Sequence, residues 1–279
     1  SAKCPKPPPP VVLGDEWEFA TDRPNVLPLA EWDYRIEASV WGRDAAGQAH
    51  VYSTTVKSEI QPAEARICLD GLAIERVWRG SAPVDFRLFV NDHHVTDFRP
   101  GEYLDHYIYE ASIAGLVQPG RNRIRIETMG HLYETPNLAH PMLLVGRFAL
   151  AQKRRRLVLT DEPGRIAGPW DRAGYPFYSG VATYCQSIRL TRRHLSHRLF
   201  LEFDAVGDLA DVSVNGRPAG VRCWEPFSVD VTRHVRLGAN EIIVRVANSL
   251  QNTLCGTPKP SGILGPARIV PVAKVRFRR

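Results

Sequence analysis

The sequence predicts an all-β protein built as two tandem β-sandwiches, and three observations carry that prediction. The first is a phrase that occurs twice: a short strand ending in Val-Asn, a turn, and then, a few tens of residues on, Gly-x-Asn opening an alternating strand. It runs from Phe86-Arg87-Leu88-Phe89-Val90-Asn91 to Gly120-Arg121-Asn122-Arg123-Ile124-Arg125-Ile126, and again from Asp211-Val212-Ser213-Val214-Asn215-Gly216 to Gly238-Ala239-Asn240-Glu241-Ile242-Ile243-Val244. Asn91 and Asn215 stand 124 positions apart, and Gly120 and Gly238 stand 118 apart. That period is too long for a solenoid repeat and suits a whole domain. The second observation is period-two alternation: Ile124 and Ile126 against Arg123, Arg125 and Glu127, then Leu199, Leu201 and Phe203 against Phe200, Glu202 and Asp204. One face of such a strand is buried and the other wet, as an antiparallel sandwich requires. The third is that no segment sustains a helical period and the β-α rhythm of a barrel enzyme or dinucleotide fold is missing.

Taken in order, residues 1–15 read as a proline-rich linker, because the run Pro7 to Pro10 is a semi-rigid extended spacer. Residues 16–151 read as the first sandwich. Its expected strands are Glu31–Trp41, His50–Val56, Ala65–Leu69, Phe86–Val95, His106–Ile113, Arg121–Thr128 and Leu143–Ala151, separated by Gly, Pro, Asn and Asp turns. A connection near Gln152–Arg156, with the basic run Lys153-Arg154-Arg155-Arg156, leads to the second sandwich, residues 152–279. Asn215-Gly216 is expected to close a type I′ hairpin, since both residues tolerate positive φ, and Asn91-Asp92 to do the same in the first copy. Gly120 and Gly238 end a short turn whose following asparagine bonds its own backbone.

Composition bounds the function. At 279 residues, with 44% hydrophobic and 24% charged content, the chain is ordinary for a globular protein of about two domains. The net charge of +6 is scattered outside the one basic run, which reads as solvated, so neither a nucleic-acid partner nor a membrane partner is expected. No apolar run approaches the roughly 20 residues that span a bilayer. The chain begins Ser1-Ala2 rather than with Met, from which a missing native start is expected. Five cysteines, Cys4, Cys68, Cys185, Cys223 and Cys255, form no Cys-x-x-Cys and leave at least one unpaired; Cys185 and Cys223 suit either buried thiols or a bridge.

The second half carries five ordered motifs. Gly174-Tyr175-Pro176-Phe177-Tyr178-Ser179-Gly180-Val181-Ala182-Thr183-Tyr184 is followed by Ala210 to Gly216. Then come Trp224-Glu225-Pro226-Phe227-Ser228-Val229-Asp230-Val231-Thr232, Gly238 to Asn248, and Ser261-Gly262-Ile263-Leu264-Gly265-Pro266. Over about a hundred residues this resembles the sugar-binding domain of glycoside hydrolase family 2, a jelly roll of the galactose-binding-like fold. In the first half Glu16-Trp17-Glu18-Phe19, Asn25-Val26-Leu27-Pro28-Leu29 and His140-Pro141-Met142-Leu143-Leu144-Val145-Gly146-Arg147-Phe148 resemble the tandem β-sandwich tail of α-L-rhamnosidase-like glycosidases. The resemblance implies a glycan or sugar ligand and an upstream catalytic domain in the same protein, whose barrel would carry the glycosidase activity. By likeness to bacterial glycosidases it also implies a secreted or periplasmic setting. No cofactor is expected; a structural calcium is implied by the fold resemblance alone, and the chain offers no dense acidic loop for it.

Glycoside hydrolysis needs two carboxylates across the scissile bond. Asp161-Glu162, Asp208, Asp211 and Asp230 read instead as turn and surface carboxylates, so no catalytic residue is assigned. His194-x-x-His197 and His93-His94 lack a third ligand, so no metal site is assigned either. Sugar binding wants exposed aromatic faces beside planar polar groups. Trp170, Tyr175, Phe177, Tyr178 and Tyr184 have that composition, as do Arg222, Trp224, Asn248 and Asn252. The expected contacts are Trp170, Tyr178 and Trp224, each beside Gly or Pro in a loop, with Arg222 and Asn248 as polar partners. The same aromatics suit a sandwich core equally well. The expected function is a non-catalytic accessory or carbohydrate-binding sandwich pair that braces a catalytic barrel. A free-standing lectin-like module and a structural adhesion or assembly domain are the alternatives.

Overall fold

The computed structural model describes residues 6–38, 48–70, 86–101, 103, 108–128 and 142–273. The chain is all-β; among the described residues the helices are short, at Trp170–Arg172, Arg192–Leu195 and Gln251–Cys255, and the chain divides into two compact units. They are not arranged in tandem. One unit is Pro24–Glu162; the other is assembled from residues 1–23 together with 163–279. The boundaries expected at 15/16 and 151/152 therefore move, and one sandwich is an insertion within the other.

The host unit has two antiparallel sheets. The smaller runs Val11–Val12, Ala267–Val272, Arg198–Phe203, Ser228–Asp230. The larger runs Arg165–Ala167, Glu16–Thr21, Val181–Leu190, Gly238–Ala247, Leu209–Val214, Arg217–Arg222. Alternation dictates the burial: Leu199, Leu201 and Phe203 point inward, as do Ile242, Val244 and Val246, while Phe200 and Glu202 line the outer face. The strand Glu16–Thr21 lies inside the larger sheet, bonded to Arg165–Ala167 on one side and Val181–Leu190 on the other. Its inward Trp17 and Phe19 join the same core as Trp170, Tyr175, Tyr178 and Tyr184. Nor is the segment before it a free linker. Pro8 is buried, Val11–Val12 pairs with Arg268 and Ile269, and Leu13 enters the core. The polyproline conformation stiffens a chain but does not stop it lying against a sheet edge that offers carbonyl and amide partners.

The inserted unit has a five-stranded sheet ordered Asn25–Leu29, Met142–Gly146, Ala65–Asp70, Ile108–Ser112, Phe98–Pro100. Its other sheet runs Ala149–Lys153, Arg156–Thr160, Gln48–Ser58, Gly120–Thr128, Phe86–Val90, His93–Val95, with Asp33–Ala38 also paired to Gln48–Ser58. One pairing is parallel, Val158 and Leu159 against Lys57 and Ser58. The expected strand 31–41 begins only at Asp33 and is described to Ala38, since 39–41 lie outside the described residues, as do 106–107 of the expected strand 106–113. The expected strand 86–95 is a hairpin. The basic run is also a hairpin, not an inter-domain connection: Arg154 and Arg155 sit at φ 47° and 64° between Ala149–Lys153 and Arg156–Thr160. A two-residue turn with both φ positive matches the twist of the flanking strands, and here it overrides the preference of arginine for negative φ.

The repeated phrase is one hydrogen-bonded clasp made twice. Asn91 and Asp92 have φ 49° and 67°, and Asn215 and Gly216 have 52° and 74°, the expected primed turns. The Asn91 side chain donates to Leu116 O and Asn122 Oδ1 at 2.8 Å and accepts from the Arg123 amide at 2.9 Å. Asn215 donates to His234 O and Asn240 Oδ1 at 2.9 Å and accepts from the Glu241 amide at 3.1 Å. Asn122 and Asn240, each 1% exposed, close the turn before them on Gln118 and Arg236 respectively.

Candidate functional site

The five expected sugar contacts separate sharply. Trp170 and Tyr178 are 0% exposed, so neither presents a ring face to a ligand, and this corrects their assignment. Trp170 stacks at 25° on Tyr184 and meets Tyr178 edge-on at 81°. The Tyr178 hydroxyl donates to Val181 O at 2.7 Å, and burial pushes its pKa up to about 12. Tyr175 and Tyr184 are core as well. The host sandwich is filled by these large rings, and each buries far more apolar area than an aliphatic would. Asn248 is likewise spent on structure. It accepts from the Gly180 amide at 2.9 Å and donates to Tyr178 O at 2.9 Å and Ser261 Oγ at 3.0 Å. Asn248 thus ties the 178–180 loop to Ser261, while Asn252 binds both the amide and the carbonyl of Lys259 and closes the 252–261 loop on itself.

Trp224 behaves oppositely: it is 75% exposed. Its loop is fixed at both ends. Arg222 closes the preceding strand, donating from Nε to Ser228 O at 2.8 Å, and Phe227 inserts at 9% exposure with its carbonyl held by the Phe203 amide at 3.0 Å. Cys223 to Pro226, including a cis Glu225–Pro226 bond, stay outside. Arg222 thus braces the loop that carries the tryptophan.

Beside this loop lies a cleft of about 480 Å³ lined by Glu202, Asp204, Glu225, Phe227, Ser228 and Arg268, among others. Its floor is the outer face of the smaller sheet, where Glu202 stands opposite Ser228 on one neighbour and Arg268 on the other. Ser228 Oγ donates to Glu202 at 3.4 Å, and Arg268 forms an ion pair with Asp204. Trp224 does not itself line the cleft but immediately precedes Glu225, which does, so an exposed apolar ring and a set of acceptors and donors share one loop, the composition expected above assembled from different residues. The sequence signal for them existed: alternation places Glu202 outward, and Glu225 follows the exposed tryptophan. It could not show that Glu202, Ser228 and Arg268 share one strand register.

Asp230, Asp208, His194 and His197 have structural partners or positions. Asp230 and Asp208 pair with Arg198 at 2.6 Å and Lys259 at 3.2 Å. Burial raises the Asp230 pKa, but the Arg198 guanidinium and the Thr232 hydroxyl and amide overcome it and hold the group at about 2. His194 caps its helix on Thr191, and His197 is buried. Among the described residues no three His, Cys, Asp or Glu side chains converge to hold a metal. Cys68, Cys185, Cys223 and Cys255 are free thiols; Cys223 is exposed rather than buried or bridged.

No family model matches the chain. Over 91 residues it is 33% identical to a Formosa agariphila protein named "Putative beta-glucuronidase", an alignment covering 32% of this chain and 8% of that protein. A second Formosa agariphila protein of the same name is 27% identical over 116 residues, 41% of this chain and 11% of the other. The chain thus spans about a tenth of the length of the curated relatives it matches. Among solved structures, a rhamnosidase from Novosphingobium sp. PP1Y aligns with 90% of this chain and 24% of its own, at 18% identity and TM-score 0.35. A Bacteroides uniformis beta-glucuronidase aligns with 33% of this chain and 12% of its own, at 21% identity and TM-score 0.28. In sequence, the chain is similar to a part, rather than the whole, of glycoside hydrolases.

Proposed function

We propose that this chain is a non-catalytic, carbohydrate-contacting β-sandwich pair of a glycoside hydrolase, and that the Trp224 cleft is its glycan contact. The observation that carries this reading is a tryptophan 75% exposed on a loop anchored at both ends, beside a polar cleft of about 480 Å³. A large ring left in water forgoes the stabilisation that packing would give, so its use is sought in a ligand. The apolar face of a pyranose stacks on indole while its hydroxyls meet Glu202, Ser228, Glu225 and Arg268. The small share of the curated relatives that this chain covers supports an accessory role, with hydrolysis carried by other parts of such proteins and these sandwiches bracing them.

The test is glycan-array or calorimetric binding by the whole chain, compared with Trp224→Ala. Binding lost in a variant whose unfolding midpoint is unchanged supports the reading; full binding by the variant removes Trp224 from it. Hydrolysis of aryl glycosides by the chain alone would overturn the non-catalytic half.

A further inference from the structure

The charges around the cleft are unbalanced, and this bears on which glycans it takes. Three carboxylates, Glu202, Asp204 and Glu225, line it with one guanidinium, Arg268. Arg268 is already paired to Asp204. Glu202 accepts only the Ser228 hydroxyl, at 3.4 Å, and among the described residues neither Glu202 nor Glu225 has a basic partner. Arg222, the nearest further cation in sequence, keeps its charge but does not line the cleft, and its Nε and Nη1 are held by Ser228 O and Val221 O.

An ionised carboxylate only accepts hydrogen bonds, so it is matched to hydroxyl donors, and a bond to a charged acceptor is stronger than one between neutral groups. The same pair of carboxylates repels a ligand that brings its own negative charge, most strongly where a ring stacked on Trp224 displaces water. A pocket for a uronic acid or a sulfated sugar needs a cation in excess of its carboxylates, and the single guanidinium lining this one is already ion-paired to Asp204 while Glu202 and Glu225 remain.

We infer that the Trp224 cleft selects neutral, hydroxyl-rich glycans and rejects uronate and sulfated ones. The inference rests on the glycan reading above and names the ligand class of that site. Glu202 and Glu225 are the specificity-determining residues, Trp224 supplies charge-independent stacking, and the Asp204–Arg268 pair sets the cleft wall.

The experiment uses matched oligosaccharide pairs that differ only in charge: oligogalacturonate and oligoglucuronate, and the same oligomers after carboxyl reduction. Each is titrated calorimetrically against the whole chain at low salt and at high salt. The reduced member of a pair is expected to bind at least about tenfold more tightly at low salt, a difference that shrinks as salt screens the cleft. Glu202→Gln with Glu225→Gln is expected to close the gap by strengthening uronate binding, while Trp224→Ala weakens both members equally. Uronates binding as tightly as their reduced partners would overturn the charge selection and leave the glycan reading standing. A gap unchanged in the double glutamine variant would overturn the assignment of these two residues. If no member of any pair binds, both readings fail together.

Discussion

In the inserted sandwich, the Asn91–Asn122 clasp closes a core of Val, Leu and Ile with Tyr52 and Phe148 among its largest members. In the host sandwich, the same clasp at Asn215 and Asn240 closes a core holding Trp17, Phe19, Trp170, Tyr175, Tyr178 and Tyr184. The polar scaffold is shared and the filling differs. The aromatics that make the host half look sugar-binding in sequence are mostly its interior, in edge-to-face, tilted and stacked contacts 5.2–6.4 Å between ring centres. The candidate site lies instead on an outer sheet face, beside a loop whose tryptophan remains exposed next to a carboxylate. Aromatic density marks how a sandwich is packed; an aromatic that its own fold leaves unburied marks where it meets something else.

Trp17→Ala tests the contrast in filling most severely. Trp17 is 3% exposed on the strand that the N-terminal segment lends to the host, so its removal is expected to cost about 3–5 kcal/mol of host stability. The inserted unit should be unaffected, which hydrogen exchange resolved by unit would show; protection lost equally in both would break the division. The shared scaffold is tested by a matched pair, Asn122→Ala and Asn240→Ala. Each leaves a buried turn without its acceptor and donor, and each is expected to cost about 2–3 kcal/mol in its own unit. Effects of unequal size would show that the two clasps have drifted apart in importance. The smallest expected effect is chemical. Burial, then Glu110, push the Cys68 thiol of the inserted unit up to about 12, whereas Cys223 and Cys255 of the host lie exposed. Alkylation of native protein near pH 8, mapped by mass spectrometry, should modify the host pair and spare Cys68, with no change in stability.

Much of the fold could be read before any coordinates. Period-two alternation found the strands, and Val-Asn with Gly-x-Asn found both primed turns, because each is a local property of a few adjacent residues. What escaped notice depends on distant partners. Nothing in Glu16-Trp17-Glu18-Phe19 tells which of two sandwiches will bury the tryptophan; that is decided by pairing with residues about 150 positions away. Lys153-Arg154-Arg155-Arg156 looked like a solvated connection because arginine rarely fills a primed turn. The site was half legible. Trp224 could be named from its loop, and Arg222 as its neighbour, but exposure separates Trp224 from Trp170 and Tyr178, and exposure is a property of the packed molecule. Glu202, Ser228 and Arg268 come from three strands and meet only through register.

The insertion has a consequence for how such a protein is made and rearranged. The host strand Glu16–Thr21 leaves the ribosome before the inserted sandwich and must wait for partners that follow it, with Phe19 finally bonding Gly164 O at 3.0 Å. A nascent chain can therefore complete its guest before its host, and carries an unpaired amphipathic strand meanwhile. For recombination the host has two seams, Arg23/Pro24 and Glu162/Pro163. A cut at 151/152 yields no intact sandwich, whereas a paired exchange at both seams could replace the guest and leave the Trp224 cleft with all its strands.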